Sequence, residues 1–405
     1  MKKVVLYSIL LIIGLAGSQV LPLITGGDLK WLTLSVDLLT MIGLSYIMIH
    51  VGYEFEIDKS NLRQYGWDYV VAMTAAAFPW IFVVLYMIFV MLPPEFWSNW
   101  DAWKESLLAG RFAAPTSAGV LFSMLAAAGL GATWLFRKAR ILAIFDDLDT
   151  VLLMIPLKML MVGFAWQLGF IIVVMVVMLW IAWKWMHRIN ISITWKSVLF
   201  YSAVIGIASE LLYNFSKIVD DSIPIHIEVL LPAFVLGVII KRVSVESGKG
   251  RFTDILETAV EKKASTIVSA VFMVLVGLNM PAIIGQVGSG VGEAVKTAGS
   301  VLATQPFPSV GMIIFHVLMI TIVSNIGKMF PAFCYRKEAD WRERLAVAIG
   351  MWPRGEVGAG VLVVSLGYGI GGPVVTVAML SLALNLLLTG VFIAMVKRLL
   401  KNVPR

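Results

Sequence analysis

Charge is what this sequence has least of. Only 14% of its 405 residues are Asp, Glu, Lys or Arg, about half the share usual in a soluble domain. Scarcity on that scale excludes an ordinary water-soluble protein. Cysteine is nearly absent as well: Cys334 stands alone, so no intrachain disulfide framework exists. The four histidines are scattered and form no metal-binding cluster. Nucleotide motifs are missing too. GSGVGEAVKT at 288–297 has the glycines of a phosphate loop without its G-x-x-x-x-G-K-[ST] spacing, and reads as a flexible outer loop.

What is abundant is hydrocarbon. The chain is 60% hydrophobic, and its apolar stretches run to about 20 residues, the length of a spanning helix and twice that of a barrel strand. Such stretches lie at 4–23, 31–52, 68–92, 105–129, 138–157, 163–183, 197–216, 224–241, 264–285, 309–332, 342–366 and 373–396. The expected fold is therefore all-α and polytopic, with about twelve transmembrane helices. The first stretch follows two lysines as a secretory signal would. It is long for a signal core and lacks a clear A-x-A site, so it reads as a first span. Residues 250–263 mix apolar and charged positions and read as an interfacial amphipathic helix.

Net charge is +7, which in a soluble protein would point to nucleic acid. Here the distribution matters more, and no nucleic-acid partner is expected. With a cytoplasmic N-terminus, twenty-four basic residues, Lys138 among them, fall in loops on the inner side and five, Lys30, Lys104, Lys158, Lys217 and Lys296, on the outer. That bias predicts both termini in the cytoplasm. Three basic residues remain at membrane depth: Arg111, Lys328 and Arg354. Near the end of its stretch, Arg111 either snorkels to an interface or is buried beside an acid.

The acids are concentrated in AIFDDLDTVLLMIPL, residues 143–157, with Asp146, Asp147 and Asp149. On the insertion scale three aspartates cost about 8 to 10 kcal/mol, and the apolar residues around them return about 3 to 6. Alone this helix would not insert, so partners are required. Asp146 and Asp147 point about 100° apart on a helix, so they serve different neighbours. Asp149 shares the face of Asp146; it either joins the pair or makes a structural hydrogen bond. Glu210 and Asp37 are further intramembrane acids, lining an interface, assisting proton access or hydrogen bonding structurally. His50, His226 and His316, near helix ends, receive no role.

Two stretches carry helix breakers at mid-depth, GRFAAPTSAG and GMWPRGEVGAG, and Pro115 and Pro353 are 238 residues apart. The same offset takes Asp147 to Asn385. The two stretches are seven crossings apart, so their copies run in opposite directions. This is the pattern of an inverted-repeat transporter with broken helices at the midplane, although Pro and Gly also occur in membrane helices as plain kinks. Thr116 and Ser117 in the first break are either ion ligands or partners for freed backbone groups. Carboxylates at such a site take up a cation or a proton, and competition between them is antiport. Two other readings compete. An intramembrane aspartyl protease needs carboxylates converging on one water, which neighbours on one helix do not provide. A sodium-coupled symporter of a small organic anion needs more polar groups than Asn325, Asn385, Thr116 and Ser117.

Along nearly its whole length the chain resembles the bacterial monovalent cation:proton antiporters of the sodium/proton and Kef-like type. The resemblance rests on GYEFEID (52–58), PTSAGV (115–120), AIFDDL (143–148), HIEVLLPAFVLGVII (226–240), FMVLVGLNM (272–280), SNIGKMFPAF (324–333) and WPRGEVG (352–358). It implies that Asp147 is alternately protonated and ion-bound, and that Asp146 pairs with Lys328, the version in which transport is typically electrogenic. It assigns Thr116 and Ser117 to the crossover, and Arg354 and Glu356 to a structural or regulatory stretch. A core domain (about 68–157 and 309–396), a dimerisation or scaffold domain (about 4–52 and 224–285), a linker helix (about 197–216), homodimers in the inner membrane and no cofactor are implied as well. Asp149 and Arg111 depart from the pattern; Arg111 either lowers cation affinity or is the counter-ion of Asp149. The chain ends at Arg405, nine residues after its last stretch, so no cytosolic nucleotide-binding domain is expected.

Overall fold

The computed structural model describes residues 2–25, 30–53, 55, 62–162, 166–219, 229–241, 244–247, 251–254, 258–279 and 300–401. His226 and the loop at 288–297 lie outside the described residues. Helices α1 (Lys2–Thr25), α2 (Lys30–Tyr53) and α3 (Leu62–Tyr86) realise the first three apolar stretches, α3 running on as a π-turn over Met87–Met91. The fourth stretch is divided. Helix α4 (Trp100–Gly110) passes into a 3-10 turn (Arg111–Ala113), and α5 (Ala118–Ala127) resumes after extended backbone. Helices α6 (Trp134–Val162), α7 (Trp166–Trp185), α8 (Trp195–Val219), α9 (Leu230–Ile239) and α10 (Ala259–Leu278) follow.

The second half has the same interruption. Helix α11 (Val310–Gly327) ends before a 3-10 turn at Phe330–Phe333, α12 (Trp341–Gly350) and α13 (Glu356–Gly367) are separated by extended backbone, and α14 (Gly372–Lys401) completes the chain. Each of the twelve expected stretches is thus helical over most of its described residues, and both marked prolines, Pro115 and Pro353, lie in the breaks. Six helices among the described residues are long and apolar enough to cross a membrane, and three shorter apolar ones accompany them. The protein is a multi-pass membrane protein.

Two details differ from expectation. Residues 251–254, read as part of an amphipathic helix, form a strand (β2, Arg251–Asp254) antiparallel to β1 (Ser244–Ser247). Phe252 and Thr253 favour extended backbone, and the helix begins at Ala259. The tenth stretch, read as one span over 309–332, loses its α-helix at Gly327. Pro331 has no N–H and restricts the residue before it, so the chain tightens into a 3-10 turn. Lys328 is left at the C-cap, where a cation meets the negative end of the helix dipole.

The chain divides into two compact units: residues 1–29, 61–161 and 276–405 in one, and 30–60 and 162–275 in the other. The first holds α1, α3–α6 and α11–α14. Within it α3 packs on α11 so closely that a Cβ on Gly327 would collide with the backbone of Pro79. Capping sets the helix starts: Asn99 Oδ1 accepts from the N–H groups of Asp101 (2.8 Å) and Ala102 (3.2 Å), and Asp340 with Glu343 forms a capping box on α12. In the second unit α2 lies against α9 through Gly52 and Gly237, where the backbones approach too closely for any side chain.

Candidate ion site at the crossing of two broken helices

The site begins with the backbone groups that the breaks set free. Where α4 and α12 stop, carbonyl oxygens lose their partners; where α5 and α13 start, N–H groups do. Buried, each must find another. The two breaks satisfy each other in part: the Ser117 N–H donates to the Pro353 carbonyl oxygen at 2.9 Å, and the Thr116 hydroxyl donates to the Met351 carbonyl oxygen at 3.1 Å. A Cβ on Gly355 would stand 3.0 Å from Ser117 Oγ, so the second break passes directly over the first.

Arg354 ties this crossing to its surroundings. Fully buried, it donates from Nε to the Ala113 carbonyl oxygen (2.8 Å), from Nη2 to the Ser324 carbonyl oxygen (3.0 Å) and from Nη1 to Asn325 Oδ1 (2.7 Å). The Asn385 amide lies beside Asn325 and is satisfied with its nitrogen on the Trp352 carbonyl oxygen (2.8 Å) and its oxygen on Arg354 Nη1 (2.7 Å). One guanidinium, carried on the second break, therefore joins the first break, α11 and α14, using the fork of donors that lysine lacks. Glu356 opens α13; its side chain lies outside the described residues.

Helix α6 brings the carboxylates to this point. Asp146 is completely buried, and its Oδ2 accepts from Lys328 Nζ at 2.8 Å and from the Thr116 N–H at 2.8 Å. A carboxylate beside the N-terminus of α5 and an ammonium at the C-cap of α11 each complement the nearest dipole end. Lys328 Nζ also donates to Thr116 Oγ1 at 3.0 Å, so the threonine hydroxyl accepts from lysine while donating to Met351. The Thr116 hydroxyl thereby satisfies one carbonyl oxygen freed at the second break.

Asp149 stands on the same face of α6, three residues further. Its Oδ2 lies 3.4 Å from Arg111 Nη2, which also donates to the Asp149 carbonyl oxygen at 3.1 Å. Arg111 does not snorkel. It is fully buried in the 3-10 turn at the first break, its guanidinium 4.9 Å over the Trp80 ring. Asp147, also buried, faces about 100° away from Asp146. The structure thus gathers Asp146, Asp149, Arg111, Lys328, Thr116, Ser117, Arg354 and Asn385 at one crossing, with Asp147 on the adjoining side of α6.

The sequence also matches a family model, described as sodium/hydrogen exchanger, transmembrane, over residues 3–399. The chain belongs to the sodium/hydrogen exchanger family. This exchanger is similar in structure to the sodium proton antiporter MjNhaP1 from Methanocaldococcus jannaschii, solved at pH 8. The TM-score is 0.56 at 14% identity over 96% of this chain and 92% of that one. At that identity the likeness speaks for the fold. Among curated proteins none matches the exchanger.

Several of its charged contacts escape a sequence reading. Lys138, counted among the inner-loop cations, is buried between Asp68 (3.0 Å) and Glu338 (3.1 Å), over the Tyr335 ring at 4.3 Å. Glu105 in α4 accepts from the Ser300 hydroxyl and from the N–H groups of Val301 and Leu302 at 2.9 to 3.0 Å. The one available signal for the first was that Asp68 and Lys138 each open an apolar stretch, two stretches expected to start on the same side of the membrane.

Proposed function

We propose that this protein is a secondary antiporter exchanging a monovalent cation, Na+ with K+ or Li+ as further candidates, for protons by alternating access, and that Asp147 is the carboxylate alternately protonated and ion-bound. The observation that carries the reading is the crossing itself, where three aspartates meet two broken helices with Asp146 already committed to Lys328. Membership of the exchanger family supports the reaction class. The commitment of Asp146 supports Asp147 as the exchanged group. A carboxylate whose charge is offset by a 2.8 Å ammonium contact has little attraction left for a second cation.

The remaining parts follow from that assignment. Ser117 and the carbonyl oxygens of the breaks supply neutral ligands that replace part of the cation's hydration. Thr116 holds Lys328 and the second break in register, and Arg354 with Asn325 and Asn385 sets the depth at which the breaks cross. Residues of about 68–157 and 309–396 form the moving core, those of about 4–52 and 224–285 the scaffold through which two copies associate, and those of about 197–216 the linker helix between them. The inner membrane, with both termini in the cytoplasm, fits the distribution of basic residues. No cofactor is required, since the gradient of one ion drives the other.

The test is cation-induced proton movement in vesicles holding the purified protein and a trapped pH dye, with Na+, Li+ and K+ compared. Release of the proton gradient by at least one of them is expected. Correctly inserted protein that responds to none of the three would refute the proposal.

A further inference from the structure

The connector between α11 and α12, residues 328–340, meets α6 through ion pairs at two levels. Lys328 opens the connector against Asp146, and further on Glu338 lies against Lys138 at 3.1 Å. On α6 the order along the chain is cation then anion, Lys138 preceding Asp146 by about 12 Å of helix. On the connector it is again cation then anion. Because the two segments run in opposite directions, each charge faces its opposite. A slip of the connector would carry Lys328 toward Lys138 in one direction and Glu338 toward Asp146 in the other, like toward like. The two pairs therefore share one register.

The inner pair contains more than burial of its lysine requires. Lys138 already has a buried partner in Asp68 of α3, whose carboxylate oxygens accept at 3.0 and 3.2 Å. That contact offsets the buried ammonium by itself. Glu338 comes from a third segment; its side chain is 30% exposed and also accepts from Gln64 Nε2 of α3 at 3.2 Å. An ion pair so open to water adds little stability. Nearby, Tyr335 takes a left-handed φ of 59°, a conformation that a bulky residue keeps only where its surroundings impose it. Its ring lies 4.3 Å from Lys138 Nζ and meets the Trp134 ring edge-on at 6.0 Å. Together these contacts fasten the connector to α6 and α3 at Lys138. Two other cations stand close to the connector without doing so. Arg354 acts on Asp146 through its charge, but its hydrogen bonds go to Ala113, Ser324 and Asn325. Arg344 of α12 donates to the carbonyl oxygens of Ala332 and Cys334. Among the described residues neither hydrogen-bonds to α6.

We infer that Lys138 is a positioning residue for the exchange reaction proposed above, on which this inference rests: by holding Glu338 at the inner end of α6 it fixes the register of the connector, and with it the contact of Lys328 to Asp146. Lys138 touches neither transported ion. It acts through Lys328, from about two helical turns away along α6.

Glu338→Ala removes the connector's half of the inner pair and leaves the buried contact of Lys138 with Asp68 intact, so its thermal unfolding midpoint should stay close to the parent's. In vesicles its maximal rate of Na+-driven proton movement should fall about tenfold. A second readout does not depend on turnover. Cys334, the only cysteine of the chain, is buried in the connector, and its alkylation by a maleimide should become about tenfold faster. Glu338→Lys sets a like charge against Lys138 and should exceed Glu338→Ala in both effects. Lys138→Met with Asp68→Asn releases the connector without orphaning a buried charge and should match Glu338→Ala. Exchange at the parent's rate in Glu338→Ala, Cys334 no more reactive than in the parent, or Glu338→Lys no worse than Glu338→Ala would overturn the inference while leaving antiport intact. A fall in rate matched by a fall in the unfolding midpoint would make the contact a stabilising one only, which is equally contrary to it. Should the double variant fail to accumulate, the two Glu338 variants decide. A parent protein that moves no protons counts against antiport instead, and Cys334 alkylation then still decides whether Lys138 holds the connector.

Discussion

Lys328 and Asp146 meet at 2.8 Å with both side chains wholly buried, and they come from opposite halves of the chain, α11 and α6. The pair is placed by two helix ends rather than by chance proximity. Pro331 stops α11 so that Lys328 caps it, and the break before α5 presents the Thr116 N–H to the same carboxylate oxygen. Among the described residues, removing the lysine leaves a buried carboxylate whose remaining hydrogen-bond partner is one backbone N–H.

Lys328→Met is therefore expected to cost about 3 to 5 kcal/mol, the usual penalty for orphaning one member of a buried ion pair. Thermal unfolding in detergent should show a markedly lower midpoint. Adding Asp146→Asn to the same chain removes the orphaned charge, and most of the lost stability should return. A double variant no more stable than the single one would mean that the pair is not the source of the penalty.

Thr116 separates a ligand role from a bridging one. Its hydroxyl donates to the Met351 carbonyl oxygen and accepts from Lys328. Thr116→Val keeps the shape and loses both bonds, for a stability loss of about 1 to 3 kcal/mol. Thr116→Ser keeps both and should behave like the parent. If instead Thr116→Val kept full stability while losing affinity for Na+, the hydroxyl would be an ion ligand.

Gly327 precedes Lys328 where α11 runs against Pro79. A single methyl there has nowhere to go, so Gly327→Ala forces the helices apart at an overpacking cost of about 1 to 3 kcal/mol. Because the displaced residue is next to the lysine, exchange should fall as well. The corresponding change at Gly311, where a Cβ meets nothing within 4 Å, should be neutral in both assays.

How much of this could be read beforehand depends on whether a feature is local. The spans were legible because twenty apolar residues in a row have one outcome in a bilayer, and the breaks because proline and glycine act within their own turn. The partner of Asp146 was legible through the family resemblance at Lys328. The partner of Arg111 was left open between two readings, since only the depth of the 3-10 turn at 111–113 decides whether that side chain reaches water or Asp149. Lys138 was assigned to an inner loop for the same reason. Its burial between Asp68 and Glu338 depends on three segments far apart in sequence. Phe252 and Thr253 lay in a pattern that helix and strand could both satisfy, and pairing with β1 selected the strand.

The central claim is that Asp147 carries both the cation and the proton, and one comparison addresses it. Asp147→Asn, which keeps size and removes the titrating group, should insert and fold like the parent. In vesicles it should give no proton movement on addition of Na+, Li+ or K+, and Na+ should no longer raise its thermal unfolding midpoint. Retained exchange by the asparagine variant at a rate comparable to the parent would contradict the account.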